Sequence, residues 1–370
     1  MNEYAFTSSI KEILKSHFRE KVEDIYDKSP LLQYVNEKTK SANRGSKSRS
    51  SFANLYAIYV LVEDYLNQTT NNGIEYSKYE GALFSDLIKR QRELPFGEKL
   101  QNHALNNRVN AEFQKFFPTT NLMPIVRDLK TNRYWVNENL LRVRVGRHTY
   151  NIAESLIDIL DKYIEVKQQT LKQFIEQCSQ LQAMERLGAE DIYTFISNPL
   201  SPKLDARLFE IVSYAILKYS YKGQTIIWGY DMKSLTKEPL TLYKTGRTNA
   251  NDGGIDFVMK PLGRFFQVTE DLDFRKFFLD IEKVRHYPLS FVVKTERAIP
   301  GILSELREKA LDTYGIERVV EEFMACIEEV INIPTLLDRL TQIIDKDGVR
   351  SLLEEIILQS KVEFNYSDDD

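Results

Sequence analysis

The chain has 370 residues, enough for two domains with separate cores, and its formal net charge of -4 excludes any argument for nucleic-acid binding from bulk charge alone. No apolar run approaches the ~18 residues of a membrane span, and the N-terminus lacks the charged start and apolar core of a signal peptide. Cys178 and Cys326 lie far apart in helical-looking segments, which fits buried thiols in a reducing, cytoplasmic setting better than a disulfide or a zinc site.

In chain order, Tyr4 to Tyr26 is amphipathic, with Ile10, Ile13, Leu14, Phe18, Val22 and Ile25 at helical spacing. Ser29-Pro30 interrupts it. Glu37 to Ser51 is polar and cationic, with Lys38, Lys40, Arg44, Lys47 and Arg49 and no acid after Glu37. It runs into a strongly apolar helix, Phe52 to Leu66. Lysine, arginine and serine beside a helix N-terminus suit phosphate contacts; a solvated loop is the competing reading. Further helical patterns cover Tyr79 to Arg92 and Leu100 to Phe117. Leu141 to Val145 alternates as a strand with Arg142 and Arg144 on one face. Those arginines either blunt a sheet edge or face a phosphate backbone. Ile152 to Leu187 reads as a long connector helix, with a domain boundary near Gly188.

The second half changes class. Leu204 to Tyr221 is an apolar helix, Thr225 to Tyr230 a strand, and Leu240 to Lys244 another short strand. Asn251-Asp252-Gly253-Gly254-Ile255-Asp256-Phe257-Val258-Met259 and Arg264 to Glu270 flank the Lys260-Pro261-Leu262-Gly263 break, which predicts a β-hairpin. Alternation gathers Asp256, Gln267 and Thr269 on one face, three oxygen ligands suited to a hard cation such as Mg²⁺. A helix from Phe274 to Arg285 and a buried strand, Leu289 to Val293, ending in Lys294, complete the order helix, strand, hairpin, helix, strand. Three helical stretches follow: Ile302–Tyr314, Ile316–Ile331 and Leu336–Leu358. An acidic tail ends the chain.

Other chemistries lack their residues. Lys244-Thr245-Gly246-Arg247-Thr248 is not a Walker loop, the four histidines are scattered without metal-ligand spacing, and there is no G-x-S-x-G elbow.

The helix with Phe209-Glu210, then Gly253-Gly254-Ile255-Asp256, then Gln267-Val268-Thr269 resembles the PD-(D/E)XK nuclease superfamily, and most its Mrr-like branch of F-E, G-G-[IV]-D and Q-x-K. The likeness covers roughly Leu204 to Lys294. It departs at Thr269, which stands where the superfamily has lysine. Lys294 is the candidate relocated lysine; Lys260, on the Asp256 face, lies roughly 13 Å along the strand. The resemblance implies an α/β core over 188–300, a mixed central sheet flanked by helices. A mainly α-helical N-terminal domain over 1–187 and C-terminal helices over 301–370 would surround it. It further implies a Mg²⁺-dependent, site-specific double-stranded DNA endonuclease, like a type II restriction enzyme. Such an enzyme is expected as a homodimer, with a cognate DNA methyltransferase acting on the same site. Asp256, Glu210 and Gln267 would hold the metal, with Thr269 and Lys294 completing the catalytic set. Lys38, Lys40, Asn43, Arg44, Lys47, Arg49, Arg142 and Arg144 would contact DNA. The alternative is a non-catalytic or partner-dependent DNA-binding protein on a degenerate nuclease scaffold.

Overall fold

The computed structural model describes residues 3–40, 48–98, 100–183, 188–201, 206–245, 255–270, 272–345 and 348–364. The chain divides into two compact units, Met1–Gln173 and Phe174–Asp370. The division falls inside the helix Ala153–Ala183, earlier than Gly188, and the second unit includes the C-terminal helices.

In the first unit the helix Ser48–Tyr65 is the axis of the core. Every residue from Phe52 to Val62 is buried, as expected of a helix that is apolar all round. Around it pack Thr7–Phe18, Val22–Lys28 and Pro30–Thr39. The amphipathic stretch that reads as one helix is broken at Arg19, whose φ of 53° lies in the left-handed region. Ser29 caps the third helix, its hydroxyl accepting from Leu32 N at 3.2 Å, with Pro30 in the first turn. A three-stranded sheet joins Ala82–Leu83, Arg133–Val136 and Ile125–Asp128. Arg142–Val145 pairs with His148–Asn151 in a separate hairpin.

The second unit is built on a five-stranded sheet whose strands are β1 (Thr241–Lys244), β2 (Phe257–Lys260), β3 (Arg264–Thr269), β4 (Leu289–Val293) and β5 (Ile327–Ile331). They lie in the order β5-β4-β3-β2-β1. The first three form an antiparallel meander; β4 is parallel to β3, and β5 parallel to β4. Helix α1 (Ala206–Ser220) covers one face. Its Tyr214 ring lies 5.2 Å from Phe257, and its Tyr214 hydroxyl donates to Leu242 O at 3.2 Å. Helices α2 (Phe274–Lys283), α3 (Ile299–Tyr314) and α4 (Glu317–Ala325) cover the other, where Phe277 meets Phe291 at 4.4 Å. Helices α5 (Ile333–Asp345) and α6 (Val349–Phe364) pack behind α1.

Three sequence expectations change. Thr225–Trp228 is a strand, but among the described residues it pairs only with Thr236–Pro239, in an exposed ribbon outside the sheet. The first sheet position goes to β1, because Leu242 is buried whereas Ile227 is 69% exposed. The stretch Ile316–Ile331 is not all helix. It ends as a helix at Ala325 and becomes β5, whose backbone completes the open side of β4.

Candidate functional site

One end of the sheet collects the chemistry. Here β1 ends, β2 begins, and β3 and β4 both end. The β2–β3 ladder is regular through Phe257 opposite Phe266, which would bring Asp256 opposite Gln267. Instead Asp256 N–H donates to Phe266 O at 2.9 Å, one residue short of that register. The Val268 N–H is taken by the Asp256 carboxylate, at 2.7 Å to Oδ2. The strands therefore part at Asp256, and a half-buried carboxylate fills the opening. On its other side Asp256 O accepts from Thr245 N at 3.0 Å. The Asp256 main chain is thus bonded to both neighbours and its carboxylate to the Val268 amide, a rigid mount for a functional group.

The parallel register then decides the neighbours. Thr269 lies beside Val293, and Lys294 N donates to Thr269 O at 3.0 Å. The next residues, Glu270 and Lys294, face each other: Lys294 Nζ donates to Glu270 Oε1 at 3.0 Å and sits 5.8 Å from the centre of the Phe209 ring. The Lys294 side chain is only 1% exposed. Phe209 is on α1, so this pair belongs to the α1 face. Gln267 and Thr269 are in register with Phe291 and Val293, whose side chains pack on the α2–α4 face. The polar pair of the third motif therefore turns away from α1, while Glu270, to which the sequence pattern assigns no role, joins Lys294. Gln267 Oε1 is buried without a hydrogen-bond partner.

Glu210 is also on α1. Lys244 Nζ, from the end of β1, lies 2.9 Å from Glu210 Oε1 and 3.9 Å from Glu363 Oε2 on α6. The first contact is an ion pair without hydrogen-bond geometry, since Glu210 Oε1 is buried and accepts no hydrogen bond. Lys244 stands beside Phe257 in the β1–β2 ladder, adjacent to Asp256. The first carboxylate of the expected motif is thus already neutralised by a lysine, and not free to serve a cation unaided. Gly253 and Gly254 lie outside the described residues.

No family model matches the chain, and no curated protein or solved structure is significantly similar to it.

The expected DNA contacts separate. Arg142 and Arg144 are exposed on one face of their strand, with Val143 and Val145 buried on the other. Arg142 also pairs with Glu138 at 3.0 Å. Lys40 is exposed and 3.5 Å from Glu37. Lys38 has a different task. Its ammonium contacts Glu112 Oε2, onto which Asn54 Nδ2 also donates at 2.7 Å, and lies over the Tyr34 ring. Its side chain is 15% exposed, so Lys38 is corrected from a phosphate contact to the partner of a half-buried acid. Arg49 falls in the first turn of Ser48–Tyr65. Asn43, Arg44 and Lys47 lie outside the described residues.

Proposed function

We propose that the second unit is a Mg²⁺-dependent DNA endonuclease, and that the whole chain acts as a site-specific enzyme of the type II restriction kind on double-stranded DNA. The observation that carries this reading is Asp256 held in the opening between β2 and β3, with the Glu270–Lys294 pair at the ends of the two adjoining strands. At strand rise Glu270 is about 7 Å along from the Val268 amide that anchors Asp256. Among the described residues no three or more His, Cys, Asp or Glu side chains converge on a metal position. That suits Mg²⁺, which is usually held by one or two carboxylates and otherwise by water and substrate phosphate. Asp256 and Glu270 are the carboxylates available for it, whereas the unpartnered amide oxygen of Gln267 lies toward the opposite, α2–α4 face of the sheet. A bound Mg²⁺ would lower the pKa of an attacking water and neutralise charge growing on the phosphate.

In this reading the chain's own groups divide the work. Asp256 fixes the cation position through its backbone-anchored carboxylate. Lys294 supplies, from the neighbouring strand, the positive charge that Thr269 cannot, and Glu270 orients its ammonium. Lys244 pairs with Glu210 at the margin of the site. Arg142, Arg144 and Lys40 would contribute sequence-independent phosphate contacts. Homodimerisation would let two such sites cut both strands of a symmetric sequence, and a methyltransferase acting on the same site would protect host DNA.

The test is incubation of unmethylated phage DNA with the full chain and Mg²⁺, beside Asp256→Asn. Discrete fragments that vanish in the variant, with DNA binding retained, support the reading. Binding without cleavage by either protein, in Mg²⁺ or Mn²⁺, would favour the non-catalytic alternative.

A further inference from the structure

The first unit contains a cleft of about 440 Å³ whose walls include Asp64, Gln68, Ile74, Tyr79, Leu83 and Arg133. That volume falls within the roughly 300–1,000 Å³ of small-molecule sites. Its construction is specific. The Tyr79 hydroxyl donates to Asp64 Oδ2, and Arg133 Nη1 donates to Gly81 O at 2.6 Å, tying the loop to the strand Arg133–Val136. Gly81 has φ +80°, and a Cβ there would meet Trp135 Cε3 at 2.7 Å and Tyr134 O at 2.8 Å. The loop can therefore pass this point only with glycine. Two aliphatic residues of the lining, Ile74 and Leu83, are 36% and 40% exposed and supply apolar surface to its walls. Burial, opposed by hydrogen bonds from Tyr79 and Gln68, raises the Asp64 carboxyl above its ordinary value. Apolar flanks with a few converging polar groups and a perturbed acid are the marks of a ligand site.

We infer that this cleft takes a single nucleobase bearing an exocyclic amino group, its ring between Ile74 and Leu83 and its amino group donating to Asp64. The lining chooses the ligand class. Lys78 and Arg133 are outnumbered by Asp64, Glu80 and Asp86, so a phosphate or other anion is disfavoured. A planar, uncharged ring with apolar faces and a polar edge matches both kinds of wall. A carboxylate accepts hydrogen bonds only, which favours the amino edge of cytosine, adenine or guanine over thymine, whose single N3–H is flanked by two carbonyl oxygens that repel the acid. Proteins that inspect single bases extrude them from the duplex into pockets of this kind. The inference rests on the proposal that the chain acts on DNA, but it concerns a different unit and needs no cleavage.

The experiment is saturation-transfer NMR of the full chain with deoxycytidine, deoxyadenosine and thymidine, nucleosides that carry no phosphate. Deoxycytidine or deoxyadenosine is expected to bind about ten-fold or more tightly than thymidine, as for a site whose polar group would be left unpaired by the wrong ligand. Asp64→Asn keeps an acceptor for Tyr79 and adds donors, so it should reduce that preference to within about two-fold. Ile74→Asn, at an exposed wall, should weaken all three nucleosides together. Absence of transfer to every nucleoside, or thymidine binding as well as the amino nucleosides, would overturn the inference. If that occurred while Asp256-dependent cleavage persisted, the nuclease proposal would stand alone.

Discussion

The hydrogen bond between Val268 N–H and Asp256 allows its structural and chemical roles to be measured separately. At 2.7 Å, with an ionised acceptor in a half-buried setting, it belongs to the charge-assisted class worth roughly 1.5–3 kcal/mol. Asp256→Ala removes the acceptor and leaves the Val268 amide in the opening with no replacement. The expected loss is about 2 kcal/mol, which for a unit of this size lowers the melting temperature by about 4–8 °C. Asp256→Asn keeps an oxygen that can accept from the same amide, so its loss should stay within about 1 kcal/mol. Its effect on cleavage should be far larger, roughly 100-fold or more, the scale found when one electrostatic partner of a transition state is removed. The assay pairs calorimetric melting with a Mg²⁺-dependent cleavage time course on the two variants and wild type. An Asn variant that cuts DNA within a few-fold of wild type would refute the role given to Asp256. An Ala variant that melts with wild type would refute the hydrogen bond.

Four further outcomes follow from named contacts. Glu270→Gln removes the charge opposite the buried Lys294 ammonium and should cost about 3 kcal/mol, near the lower end for a broken buried pair because Glu270 is partly exposed. Adding Lys294→Met should recover most of it in urea unfolding, and a coupling below about 0.5 kcal/mol would show the pair to be incidental. Gly81→Ala combines a left-handed backbone with two contacts under 3.0 Å and should destabilise the first unit by about 2–4 kcal/mol in the same measurement. Asp64 has a raised folded pKa, so its contribution to stability is full below the ordinary carboxyl value and is lost as pH rises through the folded one. The melting difference between wild type and Asp64→Asn should therefore shift against wild type as pH rises from acid to neutral; an unchanging difference contradicts the burial assigned to Asp64. Burial pushes the Cys178 thiol up to about 12, so in native protein at pH 8 it should resist a thiol reagent that labels it at once in guanidinium.

The legible parts of the sequence were those whose signal is local. Pro261 and Gly263 between alternating runs gave the β2–β3 hairpin, the largely apolar run Leu289 to Val293 gave β4, and Ser29-Pro30 marked a break between helices. Asp256 was legible for the same reason, standing at the mouth of that hairpin. Signals that depend on distant neighbours were not. Thr225–Trp228 has strong strand propensity, yet its place is decided by which apolar segment the sheet can bury, and that is Leu242. Ile327–Ile331 continues a helical apolar spacing and becomes a strand only because β4 offers it an edge. Glu270 needed the register: nothing in Val-Thr-Glu reveals that β3 and β4 run parallel and end side by side, which brings Glu270 to Lys294. Lys38 was misjudged because its partner, Glu112, is remote in sequence.

The position of β5 bears on how the protein is made. Strand β4 sits between β3, which leaves the ribosome before it, and β5, which follows by more than thirty residues of helix and turn. Until Ile331 has been synthesised, one whole flank of Leu289–Val293 offers bare amides and carbonyls to any passing strand, the situation that favours misassembly. The first unit, with its core drawn from residues up to Ile164, has no such dependence on later chain. A message truncated after α4 would therefore yield a folded first half joined to an adhesive second half, and degradation or inclusion-body formation is the expected fate of that fragment.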